Sequence, residues 1–288
     1  MTLDKDLMSA FIRLIRVKQW IKNAFVFAPI IFSGLFTDTQ AIINTCIAFA
    51  LFCLAASATY VLNDIRDIEQ DRKHPEKSKK RPLANGDISQ TQAYIILAAL
   101  YAIIAVSYFI LPKVTEVIVL YVIINIGYCF YLKYLAVIDI FTIASGFVLR
   151  VYAGAMALEV PVSSWMFITT LCVALYLAAI KRRQELKLQG DGSRKVLKAY
   201  TVEVADRFAQ MSATSALVFY SLFVTSTRPE LVMSIPLVLF GFFRYWFITE
   251  TLDQGESPTD ALIQDWQLLL VAFLWAMFCI WTILSTTT

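Results

Sequence analysis

Residues 41–62, Ala-Ile-Ile-Asn-Thr-Cys-Ile-Ala-Phe-Ala-Leu-Phe-Cys-Leu-Ala-Ala-Ser-Ala-Thr-Tyr-Val-Leu, run without a charge and end in Asn63-Asp64-Ile65-Arg66-Asp67-Ile68-Glu69-Gln70-Asp71. An apolar run of this length crosses the hydrocarbon core of a bilayer as a helix, which takes about 20 residues. Its polar extension is an N-D-x-x-D-x-x-x-D string at the membrane surface. If the segment stays helical, Asp64, Asp67 and Asp71 fall at i, i+3 and i+7, so three carboxylates line one face. Like charges that close repel, and a cation normally offsets the repulsion. Oxygen ligands of this kind suit Mg²⁺, which prefers one or two carboxylates plus substrate phosphates to an all-protein cage. The motif therefore points to a Mg²⁺-diphosphate clamp; a solvated acidic helix end is the plain alternative.

The rest of the chain agrees with a membrane setting. With 59% hydrophobic residues, 16% charged residues and a mean hydropathy of +0.66 over 288 residues, it is too apolar for a soluble domain. Nine segments have the length and composition of membrane spans, near residues 20–36, 41–62, 91–111, 116–132, 138–157, 162–180, 209–226, 231–249 and 267–285. The first, 20–36, is among the shortest. The expected fold is an all-α polytopic membrane protein, one domain over residues 1–288.

Lys and Arg orient it, because cytoplasmic loops retain them. Five lie in the N-terminal 22 residues, seven between Arg66 and Arg81, and eight between Lys181 and Arg207, whereas the loops on the other side hold only Lys113 and Arg228. The expected topology in the inner (plasma) membrane has the N-terminus and both long polar loops in the cytoplasm and the C-terminus outside. The net charge of +3 is informative only through this one-sided distribution, and nothing in it suggests a nucleic-acid partner. No cleavable signal peptide is evident.

Several chemistries are excluded. All five cysteines (Cys46, Cys53, Cys129, Cys172, Cys279) fall inside predicted spans without metal-ligand spacing. The single histidine, His74, allows neither a His-based metal site nor a Ser-His triad. No GxGxxG or P-loop pattern is present. The turn Arg81-Pro82-Leu83-Ala84-Asn85-Gly86-Asp87 reads as a breaker leading into the third span.

Asn63 to Asp71, continued by Asp71-Arg72-x-His74-Pro75 and Arg81-Pro82-Leu83-Ala84-x-Gly86, resembles the UbiA superfamily of intramembrane prenyltransferases. Within it the chain is similar to the decaprenyl-phosphate phosphoribosyltransferase branch. That narrower similarity is carried by Lys18-Gln19-Trp20-Ile21-Lys22-Asn23, by Phe147-Val148-Leu149-Arg150-x-x-Ala153-Gly154-Ala155 and by Lys181-Arg182-Arg183-x-Glu185-Leu186. The resemblance implies nine helices around a central cavity open to the cytoplasmic side. It further implies transfer of the 5-phosphoribosyl group from phosphoribosyl diphosphate (PRPP) to a polyprenyl phosphate, such as decaprenyl phosphate, with release of diphosphate. Such a step leads toward lipid-linked arabinose or related cell-wall sugar donors. On this reading Asn63, Asp64, Asp67 and Asp71 hold Mg²⁺, and Asp64, Asp67 and Lys181 are the catalytic candidates.

Ordinary members of the superfamily carry a second aspartate-rich string after the sixth span. Here residues 181–192 offer only Glu185 and Asp191, which would lie about 120° apart on a helix. Lys181, Arg182, Arg183 and Lys187 suit phosphate groups instead, Arg by forked hydrogen bonds and Lys as a point charge. A basic second wall fits a donor that carries a 5-phosphate beside its diphosphate, and an acceptor that brings another phosphate. Positive-inside topology and anionic-lipid binding are the bland reading of the same residues.

Two arginines lie inside spans: Arg150 about 18 Å along the fifth, and Arg244 about 9 Å from the cytoplasmic end of the eighth. Charges at such depth normally face an interior cavity, although snorkelling explains Arg244 adequately. Lys18 and Lys22 share a helix face at i, i+4 and are candidates for phosphate contact or juxtamembrane anchoring. Arg66, Arg72, Arg81 and Arg182 complete the expected substrate-binding set, with Asn125 and Asp139 as weaker candidates; helix capping accounts for Asp139. A lipid phosphate is ionised at neutral pH, so its attack on C1 needs no strong base. A single displacement converts an α donor into a β product. Two rivals remain: an aromatic prenyltransferase with a lipid diphosphate donor, which would need a second acidic motif, and a transporter of anionic or lipid-linked metabolites, for which Pro29, Pro236 and Gly241 do not form a repeat-related pair. Assembly into a homo-oligomer is compatible with either enzyme reading.

Overall fold

A computed structural model describes residues 2–74, 77–189, 195–251 and 264–287. All regular structure among them is helical. We number the longer helices α1 (Thr2–Leu14), α2 (Thr39–Arg66), α3 (Gln90–Val106), α4 (Pro112–Phe130), α5 (Ile138–Leu158), α6 (Ser164–Gln189), α7 (Val202–Thr227), α8 (Ile235–Thr251) and α9 (Trp266–Thr287). Eight stretches, built on α2 to α9, are long and apolar enough to cross a membrane.

Their ends are set by local chemistry. Asp38 accepts the Ala41 N–H at 2.8 Å and starts α2, and Thr201 accepts the Val204 N–H at 3.2 Å to start α7. Ser89 and Gln92 form a reciprocal capping box at α3. Buried faces are rich in small residues, including Ala48, Ala55 and Ala58 of α2 and Ala144, Ala153 and Ala155 of α5. In a bilayer small side chains let helices approach closely, where packing and not hydrophobic exclusion drives association. Large apolar residues such as Ile95, Phe109, Phe273 and Trp281 point outward, as lipid-facing surfaces require.

The first expected span, residues 20–36, is not a continuous α-helix. It consists of a 3₁₀ segment (Val17–Phe27), a short α-helix (Ala28–Ser33) and one 3₁₀ turn (Leu35–Thr37). Pro29 stands at the start of the short helix and Gly34, at φ +80°, ends it. The segment nevertheless runs the length of α2. Arg16 pairs with Asp64 near one end of that helix and Asp38 caps the other, a rise of about 37 Å. Among the described residues the bundle thus consists of eight membrane-length helices and one irregular segment that runs beside them. Gly154 of α5 permits the irregular one, because a Cβ there would overlap the Val26 carbonyl oxygen.

Antiparallel succession gathers the C-terminal ends of α2, α4, α6 and α8 with the N-terminal ends of α3, α5, α7 and α9. Ion pairs Asp67–Lys133, Asp139–Arg182 and Arg244–Asp265 knit that end together. Helix α1 packs across it through Ala10 and Leu14 against Leu83 and Ile88, with Arg13 on Asp87 at 2.7 Å. The opposite end holds Lys113–Glu159 and Arg228, whose guanidinium donates to the Phe32 carbonyl.

Candidate functional site

A cavity of about 700 Å³ opens at the charged end and penetrates between α2, α4, α5 and α6. One wall comes from the end of α2. The helix ends at Arg66, Asp67 adopts a non-helical conformation, and a short helix over Ile68–Lys73 continues the chain. Asn63, Asp67, Gln70 and Asp71 face the cavity and Asp64 does not. Within α2, position 64 is turned about 100° from 63, and the break at Asp67 re-aims the chain so that Asp67, Gln70 and Asp71 share the cavity with Asn63. The expected i, i+3, i+7 face is therefore replaced by an i, i+4, i+7, i+8 face.

Asp64 is buried behind that wall. Arg16 donates to it at 2.5 Å and Arg81 lies at 3.0 Å, and Arg81 also pairs with Asp71. Both arginines line the cavity, and Arg16 also covers the Tyr60 ring at 4.6 Å. Asp67 accepts both its bonds from Lys133, at 2.9 and 3.1 Å. The thiol of Cys129 approaches Asn63 Oδ1 at 3.6 Å. Among the described residues no group of three or more His, Cys, Asp or Glu is arranged to hold a metal by itself. The oxygens of Asn63, Asp67 and Asp71 do suit a hard divalent cation, provided substrate phosphates complete its shell.

Cations line the same cavity: Lys133 beside Asp67, Arg81 beside Asp71, and Arg16, Lys22 and Lys181. The basic stretch after the sixth span divides. Lys181 and Arg182 line the cavity, but Arg182 is 1% exposed and held by Asp139 at 2.6 Å and Glu185 at 2.5 Å. Arg183 pairs with Asp206 and Glu250, and Lys187 with Glu250. The expected basic wall is therefore narrower: Arg182 and Arg183 are neutralised inside the protein, and Lys187 pairs with Glu250 at the surface. Asp191, its other acidic candidate, lies outside the described residues, as do Pro75, Gly190 and Gly192.

Arg150 reaches the deep end of the cavity and is buried. It donates to Asn23 Oδ1 at 2.7 Å and to the Gly146 carbonyl at 2.6 Å, and it lies 5.0 to 5.2 Å from the rings of Phe52, Tyr121 and Phe147. No carboxylate pairs with it among the described residues, so its charge is balanced only by dipoles and ring faces.

Four expected substrate contacts lie elsewhere. Arg66 donates to the Cys129 carbonyl and covers Phe130 at 4.3 Å. Arg72 pairs with exposed Glu69, and Lys18 is exposed outside the cavity. Arg244 grips Asp265 with two bonds of 3.1 and 2.6 Å. That hydrogen bonding holds the Asp265 carboxyl below the usual carboxylate range. The three arginines are cations near helix ends that found a protein acceptor first. Conversely, sequence reasoning missed Lys133, Tyr60 and Tyr128 as cavity residues and counted Arg16 only as a topology signal. Lys133, beside Tyr134 at a helix end, reads in sequence as an interfacial anchor.

Eight membrane-length helices and one irregular segment, packed around a polar cavity that carries both oxygen donors and cations, define a multi-pass membrane protein. The chain belongs to the UbiA prenyltransferase family, whose model matches residues 26–259. Curated proteins named decaprenyl-phosphate phosphoribosyltransferase are similar to it. The one from Mycolicibacterium smegmatis is 38% identical over 233 residues, covering 77% of this chain and 72% of its own. The one from Corynebacterium glutamicum is 34% identical over 291 residues, covering 96% and 87%. Among solved structures, a UbiA homolog from Archaeoglobus fulgidus bound to DMAPP and Mg²⁺ has the same fold, with a TM-score of 0.74 over 95% of this chain and 98% of that one at 20% identity. A digeranylgeranylglyceryl phosphate synthase has it too, at TM-score 0.68 and 18% identity over 97% and 99%.

Proposed function

We propose that the protein transfers the 5-phosphoribosyl group of PRPP to a polyprenyl phosphate such as decaprenyl phosphate and releases diphosphate. The similarity to decaprenyl-phosphate phosphoribosyltransferases over nearly the whole chain supports this reading. The observation in the site that carries it is the wall formed by α6. Where a second carboxylate cage would be needed for a prenyl diphosphate donor, Glu185 is committed to Arg182, and Lys181 faces the cavity. One oxygen-donor wall and several cations match a donor with a sugar phosphate beside its diphosphate.

Asn63, Asp67 and Asp71 would hold Mg²⁺. Bound there, the ion supplies charge neutralisation to the leaving diphosphate. The chain's own groups do the rest. Arg16, Arg81, Lys133 and Lys181 bind phosphate oxygens by charge-assisted contacts. As anions arrive, Lys133 and Arg81 can exchange Asp67 and Asp71 for phosphate, which frees those carboxylates toward the cavity. Electrons of the C1–O bond leave with diphosphate while an oxygen of the lipid phosphate bonds to C1, and the nearby carboxylates tolerate the positive charge that builds on the ribose. Arg150, with no carboxylate partner among the described residues, would attract an anionic group into the deep part of the cavity. The cationic end would face the cytoplasm, because it carries most of the chain's Lys and Arg; the C-terminus then lies outside.

A donor–acceptor matrix on purified protein tests the reading: PRPP or a prenyl diphosphate, against a prenyl phosphate or an aromatic acid. Diphosphate release and a β-linked lipid product are expected for PRPP with prenyl phosphate alone. Turnover of prenyl diphosphate with the aromatic acid, and none with PRPP, would overturn it.

A further inference from the structure

Helix α1 shows three faces, one more than packing on the end of the bundle requires. At about 100° per residue, counted from Ala10, Leu14 falls at about 40°, Phe11, Met8 and Ile12 at about 100°, 160° and 200°, and Ser9 and Arg13 at about 260° and 300°. Ala10 and Leu14 are buried in one cluster with Leu83, Ile88 and Ala93. Ser9 is exposed and Arg13 reaches Asp87. The arc between them is apolar and open, with Met8 61%, Phe11 36% and Ile12 47% exposed.

The depth of this arc identifies what covers it. Ser57, within the apolar body of α2, donates to the Ile15 carbonyl at 2.8 Å and accepts from Trp20 Nε1 at 3.0 Å. It stands about 10 Å closer to the membrane interior than Asp64 along the same helix. Ile15 continues the hydrogen bonding of α1, with its N–H on the Phe11 carbonyl. Phe11 and Ile12 therefore lie within about 6 Å of rise of the Ser57 level, whatever the tilt of α1, and do not project past the charged end of α2. The apolar surface is also continuous with that of the bundle. Ala93 of α3 shares the cluster of Ala10 and Leu14, and the residues after it, Tyr94 and Ile95, are 56% and 63% exposed. Arg13 and Lys18 are exposed nearby in the chain. A helix with an apolar arc, a polar arc and flanking cations at this depth lies in the plane of the interface, its apolar side toward the acyl chains.

We propose that phospholipids of the leaflet at the charged end of the bundle cover Met8, Phe11 and Ile12, and that this hold positions Arg16 at the cavity. Arg16, two residues past α1, has φ +53°, a left-handed conformation uncommon outside glycine. From that turn its guanidinium reaches Asp64 and the cavity. A helix anchored in lipid is thus joined to the cavity wall through one turned residue. The inference holds for either orientation of the chain in the membrane.

Nitroxide labels at Met8→Cys, Ile12→Cys and Ser9→Cys test the lipid contact. Each is placed in the full chain with Cys46, the exposed native thiol, replaced by alanine, in vesicles of phosphatidylcholine and phosphatidylglycerol. Oxygen, which partitions into lipid, should broaden the spectra at positions 8 and 12 more than a water-soluble nickel chelate does, with the order inverted at 9. Met8→Cys decides the question where Ile12→Cys folds poorly. Chelate-dominated broadening at 8 and 12 would overturn the proposal, as would dipolar coupling that disappears on dilution with unlabelled protein, which would assign the face to a second copy of the chain. Inorganic diphosphate binding, by calorimetry in the same vesicles, tests the hold on Arg16. Ile12→Asn, polar but uncharged, should weaken it about 2- to 5-fold, the scale of a partly exposed ion contact, whereas Ile12→Leu should match wild type. Unchanged affinity in Ile12→Asn, or an equal loss in Ile12→Leu, would overturn the positioning role. Absence of diphosphate binding in wild type would count against the phosphoribosyl reading alone, and the label comparison would still decide the lipid contact.

Discussion

Asp64→Asn separates two roles that the motif alone assigns to one set of carboxylates. Asp64 is 2% exposed and serves Arg16 at 2.5 Å and Arg81 at 3.0 Å. An amide keeps the shape but removes the charge shared by two guanidinium groups. Breaking a buried pair costs about 3 to 5 kcal/mol. Here the arginine side chains are 26% and 20% exposed, Arg81 keeps Asp71 and Arg16 keeps the Tyr60 ring. Solvent screening and these remaining partners reduce the expected loss to about 2 to 3 kcal/mol. At about 2 to 4 °C per kcal/mol for a chain of this size, Tm should fall by about 4 to 12 °C. Asp67→Asn breaks a pair partly exposed at both ends, 15% and 19%, and should cost under about 1 kcal/mol. Thermal unfolding in detergent, with Mn²⁺ binding followed by electron paramagnetic resonance, distinguishes them. Asp64→Asn should lower Tm and leave Mn²⁺ affinity unchanged, whereas Asp67→Asn should leave Tm nearly unchanged and weaken Mn²⁺ binding. The reverse pattern would refute the assignment of Asp64 to positioning arginines and of Asp67 to facing the ion.

Lys181→Met should reduce kcat/KM by about 30- to 5000-fold, the kinetic equivalent of about 2 to 5 kcal/mol for a lost charge contact to a substrate. Neutralising exposed Lys198 should do far less, and equal small effects at both would favour a lipid-surface role. Gly154→Ala should destabilise the protein by about 1 to 3 kcal/mol in thermal unfolding, because its new methyl meets the Val26 carbonyl oxygen and the irregular traverse must move; a variant of wild-type stability would show that this contact is slack. A reporter active only in the cytoplasm should be silent when fused after Thr288. Activity there would mean that residues 17–37 do not complete a crossing.

Much of the architecture was legible in the chain because the bilayer imposes a length and a polarity on every span. Eight apolar runs announce α2 to α9, although α6 continues nine residues past the expected end and α7 begins seven residues before the expected start, and the position of Lys and Arg predicts which ends gather. The acidic string at the end of α2 likewise marks one wall of the cavity. Which of its carboxylates faces the cavity was not legible, since Asn63 and Asp64 are neighbours in sequence and only the packing of α2 decides which one turns inward. The same holds for cations. Arg66, Arg72, Arg244 and Lys133 look alike as basic residues near helix ends, yet Arg66, Arg72 and Arg244 lie outside the cavity lining and Lys133 lines it, paired with Asp67. Composition counts charges, but partner and direction depend on residues far away in the chain, brought together only by the antiparallel succession of helices. That physical difference, between a one-dimensional pattern set by the membrane and pairwise contacts set by packing, divides what the sequence determines from what the tertiary structure alone decides.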